Sequence, residues 1–226
     1  MIQSIVNLFF PKACAGCNSF LLKDEIVICT TCRHEIPLTN HHLNQNNEAF
    51  NKFYGRIPVN FVSCLVYFHK KGIVQEMIHK LKYRGHQEIG EAIGNWYADE
   101  LQAIKKLHSF DYIIPIPLHE KRFKERGYNQ VTTFGEALSK NWNIPYENNV
   151  LKRTIYSNTQ THKSILGRSE VVGNIFDVTF NETHHNKHFV LIDDVITTGS
   201  TLEACGRELL KIPGSRISIV CMAMTQ

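Results

Sequence analysis

The sequence predicts an α/β domain with a mainly parallel sheet, standing behind a small cysteine-rich module. Two observations carry this. From Asn60 onward, short apolar runs of strand character alternate with stretches in which apolar residues recur at helical spacing, the pattern of helices covering both faces of a parallel sheet. Ahead of that region, four cysteines form two Cys-x-x-Cys pairs, Cys14/Cys17 and Cys29/Cys32, separated by eleven residues. Between the two textures, residues 37–57 are polar and rich in Asn and His, and read as a linker or surface excursion. The expected division is 1–36, 37–57 and 58–226.

The elements follow in order. Met1 to Phe10 is apolar but lacks a basic leading segment and a small-residue cleavage site; it reads as a short amphipathic helix packed on the molecule, not as an export signal. Phe61 to Phe68 is a β-branched and aromatic run, hence a strand. Ile73, Met77 and Leu81 recur at helical spacing, and a second helix is expected from about Glu88 to Lys106. Tyr112 to Pro117 is a short strand closing in Pro-Ile-Pro, and Val131 to Trp142 is helical. Phe176 to Phe180 and His188 to Ile192 are strands, the second almost wholly apolar as in a sheet covered on both faces. Thr201 to Lys211 is a helix, and Ile217 to Met224 is the closing strand.

Composition fits a folded protein: of 226 residues, 43% are hydrophobic and 20% charged. The net charge of +4 does not by itself argue for nucleic acid. Lys121, Arg122, Lys124 and Arg126, however, fall within six positions. No run approaches the roughly 18 apolar residues of a membrane-spanning helix, and the expected location is cytoplasmic. Cys64, Cys205 and Cys221 stand singly among apolar neighbours and read as buried thiols.

The most informative segment is Asp193-Asp194-Val195-Ile196-Thr197-Thr198-Gly199-Ser200-Thr201, between a buried strand and a helix. Ligands of open α/β sheets bind at the carboxyl ends of strands. A helix N-terminus adds about half a positive charge and free backbone N–H groups. Gly199 lets the backbone approach an anion, and the hydroxyls of Thr197, Thr198, Ser200 and Thr201 add donors. Asp193 and Asp194 would repel a phosphate, so they need a partner of their own: vicinal ribose hydroxyls or a Mg²⁺ ion. A phosphate site one turn from a diol site describes a ribose 5-phosphate. The Gly-Lys pair of a P-loop and the Gly-x-Gly-x-x-Gly of a dinucleotide fold are both absent.

This segment resembles the phosphoribosyl pyrophosphate-binding motif of type I phosphoribosyltransferases. The two cysteine pairs narrow the resemblance to the ComF/GntX branch, associated in bacteria with natural competence and DNA uptake. So do Leu81-Lys82-Tyr83-Arg84-Gly85, Pro115-Ile116-Pro117-Leu118, Arg122-x-x-x-Arg126-Gly127-Tyr128-Asn129-Gln130, Arg153-Thr154, Thr159-Gln160, Arg168 and Asn174-x-Phe176. The resemblance implies a type I phosphoribosyltransferase fold, with Asp193 and Asp194 in the catalytic position. It also implies that the loop after the Pro-Ile-Pro strand faces the pyrophosphate. Arg122 and Arg126 would then be contacts, with Asn129 and Gln130 orienting the ligand or its Mg²⁺ waters. Leu151 to Arg168 would be a flap over the reaction centre, with Thr159, Gln160 and Arg168 at the matched positions.

Four thiolates in two Cys-x-x-Cys knuckles suit a tetrahedral structural Zn²⁺. A redox pair or disulfides fit a cytoplasmic chain less well. Two functions follow. One is a phosphoribosyltransferase that displaces pyrophosphate from C1 of the ribose toward an unidentified base or amine. The other is a non-catalytic nucleotide- or DNA-binding accessory of DNA uptake, with single-stranded DNA or a competence helicase as partner.

Overall fold

A computed structural model describes residues 12–154 and 175–226. The expected N-terminal helix over Met1 to Phe10, and the flap positions Thr159, Gln160 and Arg168, lie outside the described residues. Six strands are described: β1 (Phe61–Phe68), β2 (Tyr112–Pro115), β3 (Leu151–Arg153), β4 (Phe176–Val178), β5 (His188–Ile196) and β6 (Arg216–Thr225). Four of them form one sheet in the order β1-β6-β5-β2, and every pairing in it is parallel. β3 and β4 form a separate antiparallel pair.

Alternation along the central strands explains their unbroken apolar character. In β5, Val190 and Ile192 join one core layer, while Phe189 and Leu191 join the other. In β6, Val220 and Met222 face the first layer, and Ile217, Ile219 and Cys221 the second. Successive side chains point to opposite faces, so a sheet buried on both sides needs apolar residues at every position.

The described helices are α1 (Thr30–Glu35), α2 (Glu48–Asn51), α3 (Ile73–Tyr83), α4 (Glu88–Glu100), α5 (Gln102–His108), α6 (Glu120–Arg126), α7 (Thr132–Trp142) and α8 (Ser200–Leu209). The first core layer holds α3, α4 and α7, and the second holds α8. α4 and α7 approach closely because Gly94 is small: a Cβ there would stand 2.7 Å from the Ala137 Cβ. The single helix expected over residues 88–106 is divided at Leu101, which is fully buried and adopts φ −92°, ψ 6°.

Three further departures concern the site. β5 runs four residues past Ile192, because Asp193, Val195 and Ile196 stay in register with Cys221, Ala223 and Met224 of β6. The basic segment expected as a loop is the helix α6, capped at its start by the His119 ring, which accepts from Lys121 N–H at 3.1 Å. Gly127 closes it at φ +77°. The start of the expected flap, Leu151–Arg153, is strand β3.

Residues 37–57, expected as a linker, are packed on the sheet. Asn47 caps α2 by accepting from Phe50 N–H at 2.9 Å and donates to the Val62 carbonyl at 2.8 Å. Ala49 and Phe53 are fully buried and Ile57 nearly so. Their four-residue spacing sits among polar neighbours, which is why composition alone reads the stretch as solvated.

Candidate functional site

β5 and β2 are neighbours in the sheet, so the segments that leave their carboxyl ends open onto one place. The Ile116 N–H bonds to the Ile192 carbonyl at 3.0 Å and carries that pairing one residue past β2. The hydroxyl-rich turn and the basic helix α6 thus flank a pair of acids.

The acids sit at the end of β5. Asp193 accepts from Asp194 N–H at 2.8 Å, and Asp194 Oδ1 accepts from Val195 N–H at 2.7 Å. Asp194 is buried, and its Oδ2 lies 2.7 Å from Lys82 Nζ. Desolvation, reinforced by the Asp194 charge, pushes the Asp193 carboxyl up to about 7, while the Asp194 N–H, Lys82 and Arg122 oppose that rise. Lys82 belongs to a segment quoted above, but a lysine at a helix C-terminus reads as a partner of the helix dipole. Only the fold brings it to the acids.

In the turn, Thr197, Thr198, Ser200 and Thr201 are exposed, as an anion site requires, and Thr198 and Ser200 share a hydroxyl contact of 2.9 Å. Gly199 adopts φ +77°, where a side chain is disfavoured. A Cβ at Gly199 would also stand 3.0 Å from the Phe53 ring, which forms the floor of the turn. Arg56 Nη1 donates to the Thr198 carbonyl and to the Lys52 carbonyl, each at 2.8 Å. Its Nε donates to Glu203 Oε2 at 2.8 Å, and Arg207 also pairs with Glu203, so the one acid in the first turn of α8 is neutralised. Phe53 and Arg56 carry no motif in the sequence.

The opposite wall is α6, no residue of which is buried. Arg122 is exposed and is close enough to draw the Asp193 carboxyl down. Arg126 is held more tightly: Nη1 donates to Gln130 Oε1 at 2.6 Å, and the guanidinium lies 5.0 Å from the Tyr83 ring centre. Asn129 donates to the Ile116 carbonyl at 2.9 Å and accepts from Val131 N–H at 3.3 Å. Gln130 is buried. The amides expected to orient a ligand are thus bonded within the protein, where they brace the end of β2 and Arg126.

The cysteine centre is separate. The sulfurs of Cys14, Cys17, Cys29 and Cys32 all lie within 4.8 Å of one another, and all but Cys17 are buried. Cys17 and Cys29 are 3.7 Å apart, matching the edge of about 3.8 Å for a tetrahedron with Zn–S bonds of about 2.3 Å. Backbone N–H groups point at the sulfurs: Gly16 and Cys29 donate to Cys14 at 3.3 and 3.2 Å, and Cys32 donates to Cys29 at 3.4 Å. Hydrogen bonds from Ser19 draw the Cys17 thiol down to about 6, and burial pushes Cys32 up. All seven cysteines are unpaired. The donor set fits a metal such as zinc. The module docks through Lys80, whose Nζ donates to the Cys14 carbonyl at 3.1 Å and to Asn18 Oδ1 at 2.6 Å. Arg33 adds a contact 3.9 Å above the Trp96 ring. Cys64, Cys205 and Cys221 are buried, as expected.

No described helix is long and apolar enough to cross a membrane. No protein-family model matches the chain. Competence protein F of Haemophilus influenzae is 25% identical over 220 residues, covering 93% of this chain and 96% of that protein. Competence protein ComFC of Bacillus subtilis is 28% identical over 200 residues, 88% of this chain and 78% of that one. DNA utilization protein YhgH of Escherichia coli (strain K12) is 28% identical over 152 residues, 66% of each chain. Among solved structures, adenine phosphoribosyltransferase from Saccharomyces cerevisiae is similar over 64% of this chain and 72% of that one, at 13% identity and a TM-score of 0.39. The enzyme from Trypanosoma brucei is similar over 72% and 83%, at 14% identity and 0.40. At such scores these two likenesses add nothing to the topology already described. At 25–28% identity, the first of them over 93% of this chain, these sequence relatives support a likeness to the ComF family.

Proposed function

We propose that this chain binds a phosphorylated ribose of the phosphoribosyl pyrophosphate class and that its site suits transfer of the phosphoribosyl group. The observation that supports this most directly is the acid pair Asp193–Asp194, set between the exposed hydroxyl turn and the cations Lys82 and Arg122. The turn Thr197–Thr201 receives the 5-phosphate on its N–H groups and hydroxyls. The carboxylates accept from the ribose hydroxyls. Arg122 and Arg126 face the pyrophosphate, and Thr159, Gln160 and Arg168 belong to the segment that would cover it. In transfer, the C1–O bond to pyrophosphate breaks with its electron pair leaving on oxygen, and an acceptor lone pair forms the new bond to C1. The acceptor's proton passes to solvent. The acids offset positive charge on the ring, as at the sugar centre of glycoside hydrolysis. Mg²⁺, when bound with the ligand, supplies further neutralisation of the leaving group. The cysteine centre holds zinc with every coordination position filled by sulfur, so its role is structural. Seven unpaired thiols suit the reducing cytoplasm.

Calorimetric titration with phosphoribosyl pyrophosphate and Mg²⁺ tests the reading. The wild type should bind below millimolar concentration. The double variant Asp193→Asn/Asp194→Asn should lose on the order of 100-fold, about 2.7 kcal/mol. A wild type silent at millimolar ligand overturns the proposal, and pyrophosphate release in a screen of bases and amines separates transfer from binding alone.

One observation favours a second reading, an accessory role in DNA uptake. Phe123 is 51% exposed among Lys121, Arg122 and Lys124, and Tyr83 is 64% exposed beside Arg126; exposed rings among cations suit single-stranded nucleic acid. The affinity for single-stranded DNA should then fall steeply with salt, by a log–log slope of roughly −0.7 per phosphate neutralised. A flat dependence removes this reading.

A further inference from the structure

α3 ends on a cation that neither the turn nor α6 supplies. Lys82 Nζ stands 2.7 Å from Asp194 Oδ2, with the lysine side chain 22% exposed and that of Asp194 7%. Its charge and that of Arg122 both reach Asp193. The residues on either side of Lys82 bond to Arg126, the last residue of α6, and to Tyr128 just beyond it. The Leu81 carbonyl accepts from the Tyr128 hydroxyl. The Tyr83 hydroxyl accepts from Arg126 Nη2 at 3.4 Å, and the Tyr83 ring lies under the same guanidinium. Lys82 is therefore flanked in the chain by residues that contact Arg126 and Tyr128, and its partly exposed side chain rests its ammonium on Asp194.

Asp194 cannot serve the ammonium and a ribose diol equally. Hydroxyls that donate to the carboxylate compete with Lys82 for the same oxygen. A displaced ammonium would be left partly buried without a counter-charge, which is costly unless another anion is at hand. A pyrophosphate on the α6 side supplies one; a ribose carrying only the 5-phosphate does not. We propose that Lys82 is a third cation of the pyrophosphate side of the pocket, held on Asp194 in the free protein and passed to the pyrophosphate oxygens when the ribose hydroxyls take Asp194 over. The assignment rests on the phosphoribosyl reading above. It makes Lys82 a selectivity residue, one that favours the pyrophosphorylated sugar over ribose 5-phosphate.

The test compares three ligands, phosphoribosyl pyrophosphate, inorganic pyrophosphate and ribose 5-phosphate, by calorimetry at fixed Mg²⁺ on wild type, Lys82→Met and Lys82→Arg. Lys82→Met should weaken phosphoribosyl pyrophosphate by about tenfold or more, leave ribose 5-phosphate unchanged or tighter, and change inorganic pyrophosphate little, because it brings no hydroxyls to take Asp194 over. Lys82→Arg should recover most of the loss, because the cation is kept. If Lys82→Met does not fold, Lys82→Gln gives the same comparison. An equal loss for all three ligands marks the lysine as structural and overturns the assignment, as does no loss at all. A wild type that binds none of the three overturns the phosphoribosyl reading, and the assignment falls with it.

Discussion

Serine in place of Cys32 should strip the metal from the reduced protein and unfold the cysteine module. Cys32 is only 2% exposed, and its sulfur is one of four gathered within 4.8 Å. Ala15, Val27 and Ile36 join the main core, but the centre itself has little secondary structure around it. α1 is six residues long, and the cluster of buried residues around the centre consists of three of the cysteines themselves. A structural zinc site of this kind binds with an apparent free energy of about 10–16 kcal/mol near neutral pH, and most of that is folding free energy. A hydroxyl in place of one thiolate breaks the set. Elemental analysis should give one zinc per chain for the wild type and well under one for Cys32→Ser. A chelator should convert the wild type to the same unfolded module, read by circular dichroism and by newly reactive thiols. Reduced wild type without zinc, or a serine variant that keeps it, removes the metal assignment.

Phe53→Ala should cost about 3–5 kcal/mol, as for a large aromatic deleted from a core. The ring is fully buried with Ala49, Ile57, Leu202 and Leu209, and it lies directly under Gly199. A domain of ordinary stability, about 5–15 kcal/mol, would lose a large share of it. The loss should appear as a lower denaturant midpoint with little change of slope. Ligand affinity should also fall, because the turn loses its floor. Phe53→Leu should recover most of both. If residues 37–57 were only a spacer, the alanine would be silent, and an unchanged midpoint would show that.

The contrast between Phe53 and Asp193 explains what could be read before the fold was known. β1 matches its expected span, Phe61–Phe68, because burial on both faces leaves a mostly apolar run, with Ser63 bonded to the Tyr97 hydroxyl. The segment Asp193 to Thr201 stands out in the sequence because two acids followed by hydroxyl residues and a glycine form a pattern of residue types at fixed offsets. β5 was read four residues short because the two acids look like a strand end, although backbone pairing with Cys221, Ala223 and Met224 carries the strand through them. The places of Lys82, Phe53 and Arg56 were not legible. Their proximity to the site follows from the order β1-β6-β5-β2 and from the path of residues 37–57 over the sheet, and no local period encodes either. Asn129 and Gln130 show what the sequence leaves open: an amide looks the same there whether it binds a ligand or braces a carbonyl.

Lys80 and Lys82 stand two residues apart on the eleven-residue helix α3, one anchored on the Cys14 carbonyl and the other on Asp194. One helix thus ties the four-cysteine cluster to the acid pair at the end of β5. What looks in the sequence like a detachable head followed by an autonomous body is not modular at this joint. A fragment cut to begin at residue 58 would remove two acceptors of Lys80, the Cys14 carbonyl and Asn18 Oδ1, and leave its ammonium only Glu76 at 3.8 Å, on the same helix that carries Lys82. For grafting, fusion or minimisation, the portable unit is the pocket together with its cysteine module.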